Sequence, residues 1–487
     1  MRTPEIVSFF KNPQGYLKTR WQAPGGYRQV LLIAFPLILS TGSWAVQHFV
    51  DRMYLAWYSP EALAAAMPAG MLNFAVMTIF LGTVGYAGTF VAQYYGAKQN
   101  KQIGPVIWQA VYVAAAGSVA VMLLIPWAGA IFQAVGHDPL VQKYETTYFA
   151  ILCAGAFPAL VSSALSGFYS GLGKTMPVMW INLGATAVNV VFDYLMIFGH
   201  GGFPEMGMAG AAWATVFSAV FSVIAYSVLI FRPGYNRAFH TLSGWRLDRT
   251  KLSALLKYGF PNGVQFFLDM SGFTFFILLV GRLGSDNLAA TNIAFNVNTL
   301  AFMPMIGFGI TASVLVGQYL GQDDPVTAQY SVYSGFHMTF VYMAAVALLY
   351  FFWPQVFLMP YAAHADPARF EAIRRTTIIL LRFVAVYSLF DGFNIIFSSA
   401  IKGAGDTKFV MYMLLFISLF TLAVPSYLAL AVFGAGIYTA WTIASAYVVI
   451  LGLAFYFRFR GGKWKGMRVI EPLAPSLIMH PESPAVE

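Results

Sequence analysis

Twelve long apolar segments limit what this chain can fold into. Runs of roughly 20 or more mostly apolar residues occur at 28–53, 66–95, 104–128, 144–170, 175–199, 207–231, 253–281, 288–320, 328–353, 372–401, 408–432 and 434–458. Each run can cross a bilayer as an α-helix, in which one segment satisfies its own backbone hydrogen bonds. The composition agrees, because 59% of the 487 residues are hydrophobic and 10% are charged. The sequence therefore predicts an all-α integral membrane protein with twelve transmembrane helices in the lipid bilayer.

The positive charges predict the orientation of these helices. Most of the 28 Lys and Arg residues, Lys402 among them, fall in connecting segments on one side of the membrane if both termini are cytoplasmic. The net charge of +9 is spread over these segments, so we expect no nucleic-acid partner. Residues 1–21 lack the uninterrupted apolar core of a signal peptide. We expect a multi-pass protein of the cell inner membrane.

The two halves of the chain repeat each other. They share motifs at corresponding positions, which are Pro36 and Pro261, Gly82 and Gly307, and the segments FVAQYYG and LVGQYLG ending at Gly96 and Gly321. Each half holds an even number of spans, so the duplication predicts two six-helix bundles related by a pseudo-twofold axis along the membrane normal. The predicted domains are an N-terminal segment 1–27, an N-lobe 28–233, a cytoplasmic linker 234–251, a C-lobe 252–460 and a cytoplasmic tail 461–487.

The segment GLGKT at 171–175 looks like the end of a phosphate-binding loop. Such a loop needs glycine where this chain has Phe168, and the second copy, GAGDT, has Asp406 in place of Lys174. We therefore interpret both segments as cytoplasmic helix ends. The single Cys153 lies inside the fourth span, which excludes an intrachain disulfide.

Four acidic residues interrupt the spans, namely Asp51, Asp193, Asp269 and Asp391. A charged side chain at the bilayer centre is costly, so such residues generally face a cavity or a partner and mark ion or substrate pathways. A structural role, in which the acid caps a kinked helix or pairs with arginine, is the alternative, and it is strongest for Asp51 beside Arg52. Asp269 and Asp391 are predicted to lack an adjacent base, although Arg382 could reach Asp269 from a neighbouring helix.

Polar neighbours accompany two of these acids at helical spacing. Asn189 and Asp193 are four residues apart, as are Tyr387 and Asp391, so each pair shares one helix face. A carboxylate beside a second oxygen suits a dehydrated Na⁺ ion, and it equally suits a carboxylate that shuttles a proton. Ordinary hydrogen bonding between helices stays open for Asn189 and Tyr387. No organic cofactor is predicted, and no metal beyond Na⁺.

Several motifs taken together resemble the multidrug and toxic compound extrusion (MATE) transporters over residues 25–460. They are Pro36 followed by Asp51, VAQYYGAK, GLGKT, NVVFDYLMIFG, MGMAGAAWAT, GFPNGVQFFLD and YSLFDGFNIIFSSAIKGAGDT. The resemblance implies an antiporter that exports amphipathic, mostly cationic drugs and toxic organic compounds by alternating access of two lobes. We expect a monomer without enzymatic activity. Inward Na⁺ or H⁺ would drive the export.

The resemblance also implies site residues in both lobes. In the C-lobe the cation-coupling residues are Asp269, Asp391 and Tyr387. In the N-lobe the residues for cation, proton or substrate are Asp51, Asn189, Asp193 and Thr215. NorM-like transporters usually carry glutamate where this chain has Asp269, so the branch and the coupling ion stay open. We expect the C-lobe to bind the ion, because its acids lack an adjacent base.

Two other function classes compete with drug export. A lipid-linked glycan flippase of the same superfamily needs a cleft rich in Arg and Lys to neutralise pyrophosphate, whereas this chain places acids there. An intramembrane enzyme would show a catalytic motif such as His-Glu-x-x-His or Gly-x-Ser-x-Gly, and the sequence contains neither.

Overall fold

The computed structural model describes residues 13–362 and 367–471, and all regular secondary structure in these ranges is helical. Eleven helices there are long and apolar enough to cross a membrane, and a pair bent by 47° provides a twelfth span. We number the spans α1 (Tyr27–Tyr58), α2 (Pro60–Gly96), α3 (Asn100–Val135), α4 (Pro139–Ala154 with Ala156–Gly171), α5 (Met176–Phe198), α6 (Met208–Ile230), α7 (Arg249–Gly281), α8 (Ser285–Gly321), α9 (Pro325–Phe352), α10 (Pro367–Ala404), α11 (Thr407–Val432) and α12 (Ile437–Arg460). The prediction of an all-α protein with twelve spans is confirmed. The outermost parts of the predicted terminal segments, 1–12 and 472–487, lie outside the described residues.

Local sequence signals explain where several helices begin. The Ser59 hydroxyl accepts a hydrogen bond from the Ala62 amide at the start of α2, and the Asp324 carboxylate accepts one from the Thr327 amide at the start of α9. A proline follows each capping residue, where its missing N–H costs nothing and its fixed φ suits the first helical turn. The connections between these helices can therefore be short.

The two lobes pack through equivalent helices. In the N-lobe α1 packs on α5, and in the C-lobe α7 packs on α11. Between the lobes, α1 packs on α8 and α7 packs on α2. Because α7 and α8 are the repeats of α1 and α2, the second contact is the first with the lobes exchanged, as a twofold axis requires. Close backbone approaches between the lobes obey the same symmetry. A Cβ added at Gly82 would meet Gly263, and one added at Gly307 would meet Ile38, which are corresponding positions of the repeat. The predicted pair of pseudo-symmetric bundles is confirmed.

The lobes are joined most closely at the end of the molecule that carries the described termini. The Gln93 side chain donates to the Gly403 carbonyl, and the Gln318 side chain donates to the Gly171 carbonyl, both over 2.9 Å. Each glutamine thus binds an end of a helix in the opposite lobe. These carbonyls belong to the GLGKT and GAGDT segments, which lie at helix ends as predicted.

The segment after α12 adds a further connection at this closed end. Trp464 is buried and stacks on Phe459, with ring centroids 4.8 Å apart. Beyond it, the Val469 amide donates to the Gln93 carboxamide oxygen over 2.8 Å. The segment therefore begins on the C-lobe and reaches a residue of the N-lobe.

Candidate functional site

The N-lobe site is a buried cluster on α1, α4 and α5. Asp51 lies on α1, Tyr148 on α4, and Asn189 and Asp193 on α5. The exposed fraction is 6% for Asp51 and 0% for both Asn189 and Asp193. Asp51 and Asp193 are close enough to interact electrostatically, and Tyr148 interacts electrostatically with both. The structure thus brings together three of the four predicted N-lobe residues.

Several polar atoms of this cluster have no hydrogen-bond partner among the described residues. They are Asp51 Oδ1, both carboxyl oxygens of Asp193 and both polar side-chain atoms of Asn189. An ionised carboxylate only accepts hydrogen bonds, so Asp51 and Asp193 can bond each other only by sharing a proton. Buried polar groups without partners are rare and costly. The cluster is therefore chemically suited to hold a proton or a small cation.

Thr215, the fourth predicted N-lobe residue, is engaged elsewhere. Its hydroxyl donates to the Ala211 carbonyl of its own helix, α6, over 3.2 Å. Among the described hydrogen bonds, none joins Thr215 to Asp51 or Asp193. Its role in the site stays a prediction.

The C-lobe site lies among α7, α8, α10 and α12. Asp269 on α7 and Asp391 on α10 are close enough to interact electrostatically, and Tyr447 on α12 interacts with both. On α10, Tyr387 precedes Asp391 by one turn, and its hydroxyl accepts a hydrogen bond of 3.5 Å from the Asn298 amide on α8. The carboxamide oxygen of Asn298 is buried and has no hydrogen-bond partner within the described part of the chain. The structure therefore places the three predicted C-lobe residues in one region and adds two more oxygen-bearing side chains.

One expectation about this site is wrong, because a base does lie beside Asp269. The Lys402 ammonium donates to the Gln265 carboxamide oxygen over 3.0 Å, and the Gln265 amide donates to Asp269 Oδ2 over 3.0 Å. Sequence reasoning assigned Lys402 to a cytoplasmic connecting segment. In the structure α10 continues to Ala404, which carries Lys402 to the level of Gln265 on α7.

Arg382, the base proposed to reach Asp269, points elsewhere. Its side chain is exposed, and its guanidinium lies over the Phe351 ring of α9, 5.5 Å from the ring centroid. Lys402 rather than Arg382 is therefore the base that faces Asp269.

The sequence contained a usable signal for these contacts. Lys402 follows Asp391 by eleven residues, which is close to three helical turns, so both side chains share one face of an uninterrupted α10. Gln265 precedes Asp269 by one turn on α7. The signal was missed because hydropathy ends the tenth span before Lys402, whereas the helix runs past it.

Aromatic side chains line the place where the lobes approach near the middle of the spans. Phe74 of the N-lobe contacts Phe266 of the C-lobe edge-on, with ring centroids 5.9 Å apart. Trp44 contacts Phe74 at 5.8 Å and remains 46% exposed. A flat or cationic molecule between the lobes would find aromatic faces there.

In the described ranges, no group of three or more His, Cys, Asp or Glu side chains could hold a metal ion. Both lobe sites nevertheless contain oxygen-bearing groups with unfilled hydrogen-bonding capacity. A pseudo-symmetric pair of helical bundles with acidic side chains inside each bundle is the architecture of a membrane transporter.

Comparisons with known proteins identify the family of this transporter. The family model MatE matches residues 36–195 and 261–428, one segment in each lobe. The chain belongs to this family, the MATE multidrug efflux transporters.

Relatives with known names align over most of their length. A "probable multidrug resistance protein NorM" of Brucella suis is 25% identical over 417 residues, covering 84% of this chain and 86% of the relative. The "multidrug resistance protein PmpM" of Pseudomonas aeruginosa is 27% identical over 398 residues, covering 80% of this chain and 81% of the relative.

Solved structures show the same fold. An outward-facing "multidrug resistance MATE family transporter of the MOP superfamily" superimposes with a TM-score of 0.81 at 18% identity, covering 91% of this chain and 97% of the other. The eukaryotic MATE transporter AtDTX14 also gives a TM-score of 0.81 at 18% identity, covering 90% of this chain and 96% of the other.

Proposed function

We propose that this protein is a cation-coupled antiporter that exports amphipathic, mostly cationic organic compounds from the cytoplasm. Inward movement of Na⁺ or H⁺ supplies the driving force, and the two lobes alternate access to a central cleft. The observation that carries this proposal is the pair of neighbouring carboxylates on two helices of the C-lobe, the half-buried Asp269 on α7 and the buried Asp391 on α10. The names of the NorM and PmpM relatives support the export of drugs.

The chemistry of the C-lobe pair explains how an ion could be coupled to transport. Two carboxylates in a low-dielectric site repel each other unless a cation or a proton lies between or on them. Tyr387 and the unpaired Asn298 oxygen offer further oxygen ligands of the kind that Na⁺ prefers. Binding of the ion therefore removes the repulsion between Asp269 and Asp391, and release of the ion restores that repulsion. A change of conformation that alters the spacing of α7 and α10 would change the affinity for the ion.

The closed end of the molecule supports alternating access. If both termini are cytoplasmic, the glutamine contacts to Gly171 and Gly403 close the cytoplasmic side, and the structure then represents the outward-facing state. These contacts are hydrogen bonds and close backbone approaches between two separate bundles, so rocking the lobes can break them without disturbing either core. The aromatic surface at Trp44, Phe74 and Phe266 lies between the lobes, where an organic cation would bind.

Efflux from liposomes that contain the purified protein tests this function. Efflux of a fluorescent organic cation is followed while a Na⁺ gradient and a pH gradient are imposed separately. We expect one of the two gradients to accelerate efflux at least tenfold over liposomes without protein, and that gradient identifies the coupling ion. Efflux that responds to neither gradient would refute the antiport mechanism.

The two acid sites should have separate roles, because they are not copies of each other. In the internal repeat Asp269 corresponds to Trp44, and Asp51 corresponds to Phe276. We expect Asp193→Asn to lower the transport rate or alter substrate preference while transport still depends on the ion gradient. The asparagine has the size of aspartate, and its amide can donate to the neighbouring Asp51, so we expect the fold to be retained.

The measurement is uptake of labelled substrate into inverted vesicles under matched Na⁺ and pH gradients. Asp391→Asn is the comparison variant and should lose gradient dependence. If Asp193→Asn loses gradient dependence while Asp391→Asn keeps it, the lobes have been assigned the wrong way round.

A further inference from the structure

The C-lobe site contains its own cation. Lys402 on α10 and Asp269 on α7 are connected through the single side chain of Gln265, by two hydrogen bonds of 3.0 Å. The carboxamide oxygen accepts from the ammonium and the amide nitrogen donates to the carboxylate, so the two charges together determine the orientation of the glutamine. The ammonium is thereby held near the carboxylate without contacting it.

The indirect contact leaves part of Asp269 available. Among the described hydrogen bonds, Gln265 engages Oδ2 of the carboxylate and Oδ1 takes part in none. Besides Lys402, the groups that interact electrostatically with Asp269 are Asp391 and Tyr447, neither of which carries positive charge. Lys402 is therefore the charge that balances Asp269 in this conformation.

The position of Lys402 depends on the closure of the lobes. Its backbone carbonyl accepts a hydrogen bond of 2.6 Å from the Tyr86 hydroxyl of the N-lobe. The next carbonyl along the chain, that of Gly403, accepts the hydrogen bond from Gln93 of the same lobe. Separation of the lobes at this end would break both bonds and release the end of α10 that carries Lys402.

The N-lobe has no equivalent of this arrangement. In the repeat, GAGDT aligns with GLGKT, so Lys402 corresponds to Ser170. The Ser170 hydroxyl donates to the Ser166 carbonyl of its own helix over 3.0 Å. The base is thus a feature of the C-lobe alone and not a remnant of the duplicated fold.

We propose that Lys402 is a tethered counter-cation for Asp269, presented through Gln265 when the lobes close at the end carrying the termini, and that it competes there with the organic cation being transported. In the outward-facing state the ammonium lowers the affinity of the site for the cargo and favours its release. When the lobes separate at this end, the ammonium withdraws and Asp269 becomes available to a new cargo cation. This role rests on the proposed export of cations and names the residue that sets the affinity of the site.

Equilibrium binding of tetraphenylphosphonium to the purified full-length protein, without any gradient, tests this inference. We expect Lys402→Met to bind the probe roughly tenfold or more tightly than the wild type, because an opposite charge near a carboxylate changes its affinity for cations by at least that factor. Gln265→Leu should also bind the probe more tightly than the wild type, because leucine cannot make the two hydrogen bonds that connect Lys402 to Asp269. Lys402→Arg retains the charge and should bind as the wild type does.

Asp269→Asn is the control that distinguishes competition by Lys402 from a purely structural role of Lys402. In that background Lys402→Met should give no gain in affinity, because no carboxylate remains to be competed for. The thermal stability of Lys402→Met alone should fall and should recover when the probe binds, whereas a purely structural ion pair would lose stability without gaining affinity.

Equal probe affinity in the wild type and Lys402→Met, no binding to Lys402→Met, or a gain that persists with Asp269→Asn would overturn the proposal. These results are independent of the liposome experiment, because binding needs no gradient. If the liposome experiment showed no ion coupling, the binding experiment would still decide whether Lys402 competes with cations at Asp269.

Discussion

Asp391→Asn is expected to abolish gradient-driven export while the protein remains folded and inserted in the membrane. Asp391 is 7% exposed and interacts with Asp269 and Tyr447 across the C-lobe site. An asparagine keeps the size and hydrogen-bonding capacity of the side chain, but it can neither balance a cation nor carry a proton. Ion coupling should therefore suffer much more than folding.

Substrate transport in liposomes with an imposed gradient measures the effect, and we expect a loss to the level of protein-free liposomes. Asp269→Asn should behave in the same way. Asp138→Asn is the matched control, because Asp138 is exposed and caps the start of α4, a position where asparagine serves as well as aspartate. Full gradient-driven export by both Asp391→Asn and Asp269→Asn would show that the C-lobe carboxylates take no part in ion coupling.

Gly96→Ala is expected to prevent the lobes from closing at the end that carries the termini. A Cβ at Gly96 would lie 1.9 Å from the backbone oxygen of Gln318, and one at Gly321 would lie 2.2 Å from the backbone oxygen of Gln93. Both contacts are with backbone of the opposite lobe, so no side-chain rotation can relieve them. The closed state should be lost, and transport should fall at least roughly tenfold, which corresponds to about 1.4 kcal/mol.

Two measurements check this result. Substrate transport should fall in Gly96→Ala and in Gly321→Ala. A second measurement uses Ser313→Cys, at a position where the lobes meet beside Thr89. In the glycine variants this cysteine should react faster with a soluble thiol reagent. Cys153→Ser in the background removes the native thiol. Gly42→Ala on α1 is the control, because a Cβ there meets no other atom within 4 Å. Transport at the wild-type rate in both interface variants would show that this close packing is not needed in the transport cycle.

Much of the site was readable from the sequence because helical periodicity relates residues on one element. Asn189 and Asp193, and Tyr387 and Asp391, lie where their spacing predicted, on single faces of α5 and α10. Contacts between elements were not readable in the same way. The approach of Asp51 to Asp193 depends on how α1 packs on α5, and whether Thr215 faces these acids depends on the rotation of α6.

The sequence by itself determined the membrane location, the twelve spans and the duplication, because hydropathy and repeated motifs are properties of the chain and need no packing. Only the tertiary structure decided the electrostatics of the site. Whether Asp269 has a base beside it depends on the length of α10 and its distance from α7, and the sequence places Lys402 and Asp269 far apart along the chain. Long, flexible side chains such as lysine reach partners across helices, so their contacts follow from packing geometry rather than from position in a span.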